Sequence, residues 1–250
     1  MVFNTNDEEH KTLVNPSPFC VKLELYLKVA DIAYDKPKLA PGDMGPKGKL
    51  PYVKEQPSGE SIWDTAAIIN HLEKKGNSTL VEDLSADEKA QARFIVATCE
   101  EKLYFVLNYF HWQHKDNWPV TRAAYFWELP WGLRKLISGK AHKGMVKALY
   151  GQGMGRHSLE EVVDIGKQIV DDLALVLGDK ATLFGTPKLT IADIVMYANL
   201  DHFVNTDIPY NPIGDYIRTK PNLVTFINSI TKQYFPEVYD NRRNKKPLLR

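Results

Sequence analysis

Ser17-Pro18-Phe19-Cys20 sets a hydroxyl and a thiol within one turn of each other. Pro18 suits the first position of a helix and Ser17 suits its cap. Cys20 then falls in the first turn, where bare N–H groups and the positive dipole end favour a thiolate. Ser17 could equally donate a hydrogen bond to the thiolate of a bound ligand. A capping serine beside a small buried cysteine would read the same way. Leu50-Pro51-Tyr52-Val53 follows a loop carrying Gly45, Pro46 and Gly48. A proline opening a strand can be cis, which would present the backbone of Leu50 to an extended ligand; an ordinary loop-ending proline looks alike. Asp64-Thr65 stands at a helix start. Its N–H groups and hydroxyl suit a carboxylate and its own carboxylate suits an ammonium, so the pair could hold an amino-acid head group. A plain N-cap has the same signature.

Tyr104, Tyr109, Phe110, Trp112, Trp118, Tyr125, Phe126, Trp127 and Trp131 crowd one stretch. That density suits either an apolar pocket or a core. His111, His114, His142 and His157 share no metal-binding spacing with Cys or acidic residues, and no metal is expected.

These groups need elements to hold them. Met1-Val2-Phe3 is expected as a short strand. Phe19, Leu23, Tyr26, Leu27 and Ala30 have helical spacing, and Ala33 to Leu39 looks extended. Tyr52-Val53-Lys54 and Ser61-Ile62-Trp63 flank a turn at Pro57-Ser58-Gly59, which predicts a hairpin. Asp64 then caps a helix with Ala67, Ile68 and Leu72 on its apolar face. Strands and helices in that order fit a small sheet with helices packed on it. From Ser85 the signals are helical. Ser85…Glu88, Ser158…Glu161 and Thr190…Asp193 read as capping boxes. Leu159, Val162, Gly166, Ile169, Leu173 and Leu177 form a stripe that ends at Gly178, and Pro221 opens what reads as the last helix. The boundary falls near residues 76–85, giving domains over 1–78 and 85–250.

With 44% hydrophobic and 25% charged residues the chain is globular, not disordered. The near balance of 32 basic against 31 acidic residues gives no reason to expect nucleic acid or an acidic membrane as main partner. Arg242, Arg243, Lys245, Lys246 and Arg250 form a basic end, read as a solvated terminus. Two cysteines, Cys20 and Cys99, exclude a disulfide scaffold and fit a reducing compartment; Cys99, at helical spacing with Ile95 and Leu103, reads as core. No apolar run of about 20 residues predicts a membrane span. Asp7, Glu8 and Glu9 make the first residues unlike a secretory leader.

Taken in order, these pieces resemble the glutathione-transferase superfamily. The likeness is closer to its branch of failed-axon-connections and metaxin-like proteins. It is carried by residues 17–24, Lys47-Gly48-Lys49-Leu50-Pro51-Tyr52, the segment from Leu149 to Ser158, and Phe184-Gly185 with Leu189-Thr190-Ile191-Ala192-Asp193. The resemblance implies a thioredoxin-like N-terminal domain followed by an all-helical C-terminal domain. It implies glutathione as the thiol substrate, with Ser17 stabilising the thiolate. Leu50 and Pro51 would align the cysteinyl unit, and Asp64 and Thr65 would hold the γ-glutamyl end. Tyr104 and Trp112 are the expected wall of a pocket for a small electrophile. Cys20 as nucleophile would give a thiol transferase instead, although in that chemistry the attacking cysteine usually occupies the position of Ser17. A glutathione-dependent isomerase would use the same thiol site. A non-catalytic interaction module is the alternative the metaxin-like branch allows. A cytoplasmic homodimer is expected. The polar end after Pro236 lacks the metaxin membrane tail, so mitochondrial anchoring is not carried over.

Overall fold

The computed structural model describes residues 12–36, 48–55, 58–76, 80, 84–126 and 129–244. The expected strand at Met1-Val2-Phe3 lies outside the described residues. So do Leu39, Pro57, Asn77, Ser78, Trp127, Lys245, Lys246 and Arg250.

Helix α1 spans Pro18–Val29, with proline in its first turn as the sequence requires. Strands β1 (Tyr52–Lys54) and β2 (Ser61–Trp63) form the expected antiparallel hairpin, with Tyr52 opposite Trp63 and Lys54 opposite Ser61. Helix α2 (Thr65–Lys74) follows directly and packs on α1 and on both strands. Residues 32–36 are irregular, not the start of a strand.

The rest is helical. Helix α3 (Ala86–Thr98) runs without a break into a π-helical turn at Cys99–Leu103, then α4 (Tyr104–Asn108) and a second π turn at Tyr109–Gln113. Each π turn adds a residue to the winding and so re-aims the side chains after it. Then come α5 (Trp118–Phe126), α6 (Trp131–Gln152), a 3₁₀ turn at Met154–Arg156, and α7 (Leu159–Leu177). Helices α8 (Ile191–Asn205), α9 (Pro212–Arg218), α10 (Pro221–Tyr234) and α11 (Pro236–Asn244) complete the chain. All three capping boxes close with both reciprocal hydrogen bonds. The α7 stripe is buried as expected except for half-buried Leu159, and Cys99 is buried in the core. No helix among the described residues is long and apolar enough to cross a membrane.

Helix α8 is the axle. Every residue from Ala192 to Phe203 is buried, and α1, α3, α9 and α10 all pack on it. A helix buried all round must satisfy its polar groups internally. Asp193 does so in its capping box and by accepting from the Leu183 N–H at 2.7 Å. Gly214 on α9 lets that helix approach: a Cβ there would sit 2.4 Å from the Phe203 carbonyl oxygen.

Two sequence expectations need correcting here. Pro221 does not open the last helix, because Pro236 opens α11. Nor is Arg242 a solvated tail residue. Its guanidinium pairs with buried Asp201, with Nη1 at 2.8 Å from Oδ1 and Nη2 at 2.9 Å from Oδ2. It also donates to the Thr12 carbonyl at 2.7 Å and to Thr231 Oγ1 at 3.1 Å. The basic end is thus partly a clasp.

His111 and His202 meet in the interior with ring centres 5.3 Å apart. Burial lowers His111 to about 4, and burial with its neighbour pushes His202 well below the usual imidazole range. Both rings are therefore neutral in the folded chain, whereas the unfolded chain binds their protons near pH 6.5. Stability from His111 is complete above about 6.5 and is lost as pH falls toward 4. At pH 5 the loss from His111 is about 2 kcal/mol, one and a half units at 1.36 kcal/mol each, and His202 adds in the same direction. Denaturant titrations at pH 7 and pH 5 would read this out, with a shallower pH slope expected for His111→Gln.

Candidate functional site

Helix α1 is wedged between α2 and α8. Even its charged residues are buried there, each beside a partner: Lys22 against Glu100 at 2.6 Å, and Glu24 against Lys36 and the Tyr34 hydroxyl. This fixes the N-terminal end of α1 firmly. Asn15 Oδ1 accepts from the Ser17 N–H at 2.9 Å, and the Ser17 carbonyl accepts from the N–H groups of Cys20 and Val21. Ser17 occupies the cap position, but its side chain makes no capping hydrogen bond.

Cys20 is 2% exposed. Burial pushes its thiol up to about 12, and the Ser17 hydroxyl only partly offsets this. Desolvation therefore outweighs the helix dipole that the sequence pattern brought forward for a thiolate.

The Leu50–Pro51 peptide is cis, and Pro51 is buried at the entry to β1. The hairpin register brings the second and third motifs together. Tyr52 faces Trp63, so Pro51 and Asp64, one step further on, lie at the same end of the hairpin. Asp64 caps α2 by accepting from Ala66 N–H at 3.0 Å and Ala67 N–H at 3.2 Å, both on Oδ1. Its φ of 78° is a backbone state that residues other than glycine rarely adopt. The carboxylate is exposed, with Thr65 buried behind it.

The aromatic residues divide. The Tyr104 ring sits edge-on to Phe19, centroids 4.9 Å apart, next to the start of α1. It lines a narrow cleft of about 10 Å³ together with Phe19, Lys22, Glu100 and Asn199, whose Oδ1 has no hydrogen-bond partner. Burial raises the Tyr104 hydroxyl pKa, so the group is a neutral donor. Trp112 is 7% exposed and packs with Trp118, Tyr125 and Phe126, one layer behind. Tyr109 and Phe110 are also buried, but Trp131 is 87% exposed. Among the described residues no cluster of His, Cys, Asp and Glu could hold a metal.

Two residues join this region to which sequence reasoning gave no role beside Ser17. Tyr125 donates to the Pro16 carbonyl at 2.6 Å, tying α5 to the residue before Ser17. Nothing local signals a contact across so much chain. Asn15 orients Ser17, and its place before Pro16 is the turn signal that could have found it.

A family model of the glutathione S-transferase N-terminal domain matches residues 18–117, and one of the C-terminal domain matches residues 166–230. Isoprene-epoxide–glutathione S-transferase of Rhodococcus sp. (strain AD45) is 33% identical over 87% of this chain and 92% of its own length. The chain belongs to the glutathione S-transferase superfamily. Failed axon connections of Drosophila melanogaster is 28% identical over 88% of this chain, and human metaxin-2 is 21% identical over 78% of it, which supports the metaxin-like branch. This chain spans 55% of the length of the former and 73% of the latter. Among solved structures, a glutathione S-transferase of Ceriporiopsis subvermispora in complex with glutathione overlays with a TM-score of 0.62 at 15% identity, covering 94% of this chain and 96% of its own. That likeness carries the fold: a thioredoxin-like N-terminal part and a helical C-terminal part.

Proposed function

We propose that this chain binds glutathione and uses its thiolate to open a small apolar electrophile of the epoxide class. The observation that carries the reading is the Ser17 hydroxyl, which stands at the cap position of α1 without being spent on a capping hydrogen bond. The 33% identical relative, an isoprene-epoxide–glutathione S-transferase by name, supports the choice of electrophile.

In this reading residues 1–78 bind glutathione and residues 85–250 supply the electrophile side. Asp64 and Thr65, at the start of α2, hold the γ-glutamyl head. The backbone of Leu50, ahead of Pro51, pairs with the cysteinyl unit. Ser17 and the start of α1 stabilise the thiolate. The sulfur attacks an epoxide carbon, an S–C bond forms, a C–O bond breaks, and the alkoxide takes a proton. Tyr104 is the donor we place there. Trp112 acts through the packing that positions Tyr125. Fixed alignment of the two reactants supplies much of the acceleration. Burial of Cys20 weighs against the thiol-transferase variant; an isomerase remains the same site with a different electrophile. We expect a cytoplasmic homodimer with a detoxifying role.

A second reading, a non-catalytic interaction module, is favoured by one observation: the cleft beside Tyr104 has a volume of about 10 Å³, room for about one water, against the roughly 300–1,000 Å³ usual for small-molecule sites. Calorimetric titration of the reduced protein with glutathione separates the two. Saturable binding that Asp64→Ala/Thr65→Ala loses is the expected result. No binding up to about 10 mM, weaker than roughly −2.7 kcal/mol, would sink the transferase reading.

A further inference from the structure

The chain as a whole is almost neutral, with 32 basic and 31 acidic residues. Helix α6 is not. Its sequence from Trp131 to Gln152 carries Arg134, Lys135, Lys140, Lys143 and Lys147 and no aspartate or glutamate. Its inner side is held by buried Ser138 and Leu149. On the opposite side, Leu133, Leu136, Ile137 and Lys140 follow at spacings of three, four and seven, which keeps them on one face, and Lys143 and Lys147 continue it. The first two turns of that face are apolar and exposed. Leu136 is 72% exposed, with Leu133 and Ile137 also open. The later turns are cationic: Lys140, Lys143 and Lys147 are exposed and form no ion pair among the described residues. Val120 and Tyr125, exposed on neighbouring α5, add apolar surface.

We propose that this face of α6 docks on an anionic lipid bilayer surface, Leu133, Leu136 and Ile137 entering the interface and the lysine row lying on lipid phosphates. A row of exposed, unpaired lysines beside an apolar wedge suits an anionic headgroup layer, the cations meeting phosphates and the leucines entering beside them. The lysine stems add apolar contact while their ammonium groups stay at the headgroups. Charge complementarity favours this occupant over a second copy. Pairing α6 with α6 in parallel would set the lysine rows against each other, and antiparallel pairing would bury lysines against Leu133 and Leu136. Membrane contact here needs no spanning segment and is independent of glutathione.

Sedimentation of the full chain with phosphatidylcholine vesicles, with and without phosphatidylserine, tests this. Binding to the serine-lipid vesicles alone is expected, and it should weaken as salt rises. Lys140→Gln/Lys143→Gln/Lys147→Gln should lower the partition coefficient about 100-fold, since each cation near such a surface contributes roughly fivefold. Leu133→Ala/Leu136→Ala should also lower it, with the salt dependence kept. All of these sites are exposed, and circular dichroism would verify that the variants fold. Failure to sediment with anionic vesicles overturns the proposal, as does binding unchanged in the lysine variant. A dimer seen by light scattering that Leu136→Glu dissociates, with vesicles ignored, would assign the face to a second copy instead. Saturable binding of an acidic peptide without vesicle binding would assign it to a protein partner.

Discussion

Arg242→Ala should cost about 3–5 kcal/mol of stability, the range for removing one partner of a buried ion pair. For a chain of this size that lowers the melting temperature by roughly 10 °C. The reason lies with Asp201, which is 1% exposed in the middle of α8. Burial already raises its pKa, and Arg242 is the main opposing influence, with Asn205 Nδ2 adding a hydrogen bond at 3.1 Å. Without the guanidinium the carboxylate would be buried with no cation. Two further donations, to Thr12 and Thr231, would vanish with it. The sign of the pH effect follows. With Arg242 gone the Asp201 pKa rises further, so the native variant takes up a proton more readily than its unfolded chain. The deficit relative to the parent therefore narrows as pH falls from 7 toward 5. Asp201→Asn in the Arg242→Ala background should recover part of the loss at pH 7 by removing the uncompensated charge. Urea denaturation of the three proteins at both pH values decides it. A cost under about 1 kcal/mol for Arg242→Ala would mean that the pair behaves like an exposed one.

That clasp also marks where the sequence stops being legible. The hairpin, α2 and the three capping boxes were readable because their signals are local: a turn between alternating strands, or a hydroxyl three residues ahead of a carboxylate. Helix α11 announces itself only by Pro236. Its composition is polar, and the residue that anchors it finds its partner on another helix. A charge count along the chain cannot distinguish Arg242, half-buried against Asp201, from Arg243 one residue on, which is exposed. The same blindness runs the other way for α6, where a balanced total concealed a wholly cationic helix. Trp131 looked like its aromatic neighbours and is the most exposed of them. The two π turns left no trace in the apolar spacing. At the candidate site the motif residues were each legible, whereas their assembly was not. The hairpin register unites Pro51 with Asp64, and the tie from Tyr125 to Pro16 joins segments 109 residues apart.

Ser17→Ala should lower kcat/KM for glutathione addition to a small epoxide by about 100- to 1,000-fold, the usual effect of deleting one donor to a developing or resting anion. The Ser17 side chain has no structural work at the cap, so its removal should leave the helix intact and the melting temperature within a few degrees. The glutathione thiol then loses the donor that holds it ionised, and its pKa in the complex moves up toward that of the free thiol. Thiolate absorbance of the bound peptide against pH would show this separately from turnover. Glutathione affinity, set largely by Asp64 and Thr65 in this scheme, should change much less than kcat. Cys20→Ala makes the opposite prediction. Its thiol is buried and held protonated far above neutral pH, so activity should stay within a few-fold while stability falls slightly from the lost packing. A large activity loss in Cys20→Ala with Ser17→Ala near normal would reverse the assignment and make Cys20 the attacking group, reached by an opening of α1. Equal, small effects in both would leave the thiol site without a catalytic role and put the interaction module in front. The two residues are neighbours at the start of α1, so the double variant belongs in the set: if Ser17 acts on the ligand thiolate and not through Cys20, Ser17→Ala/Cys20→Ala should match Ser17→Ala alone in kcat.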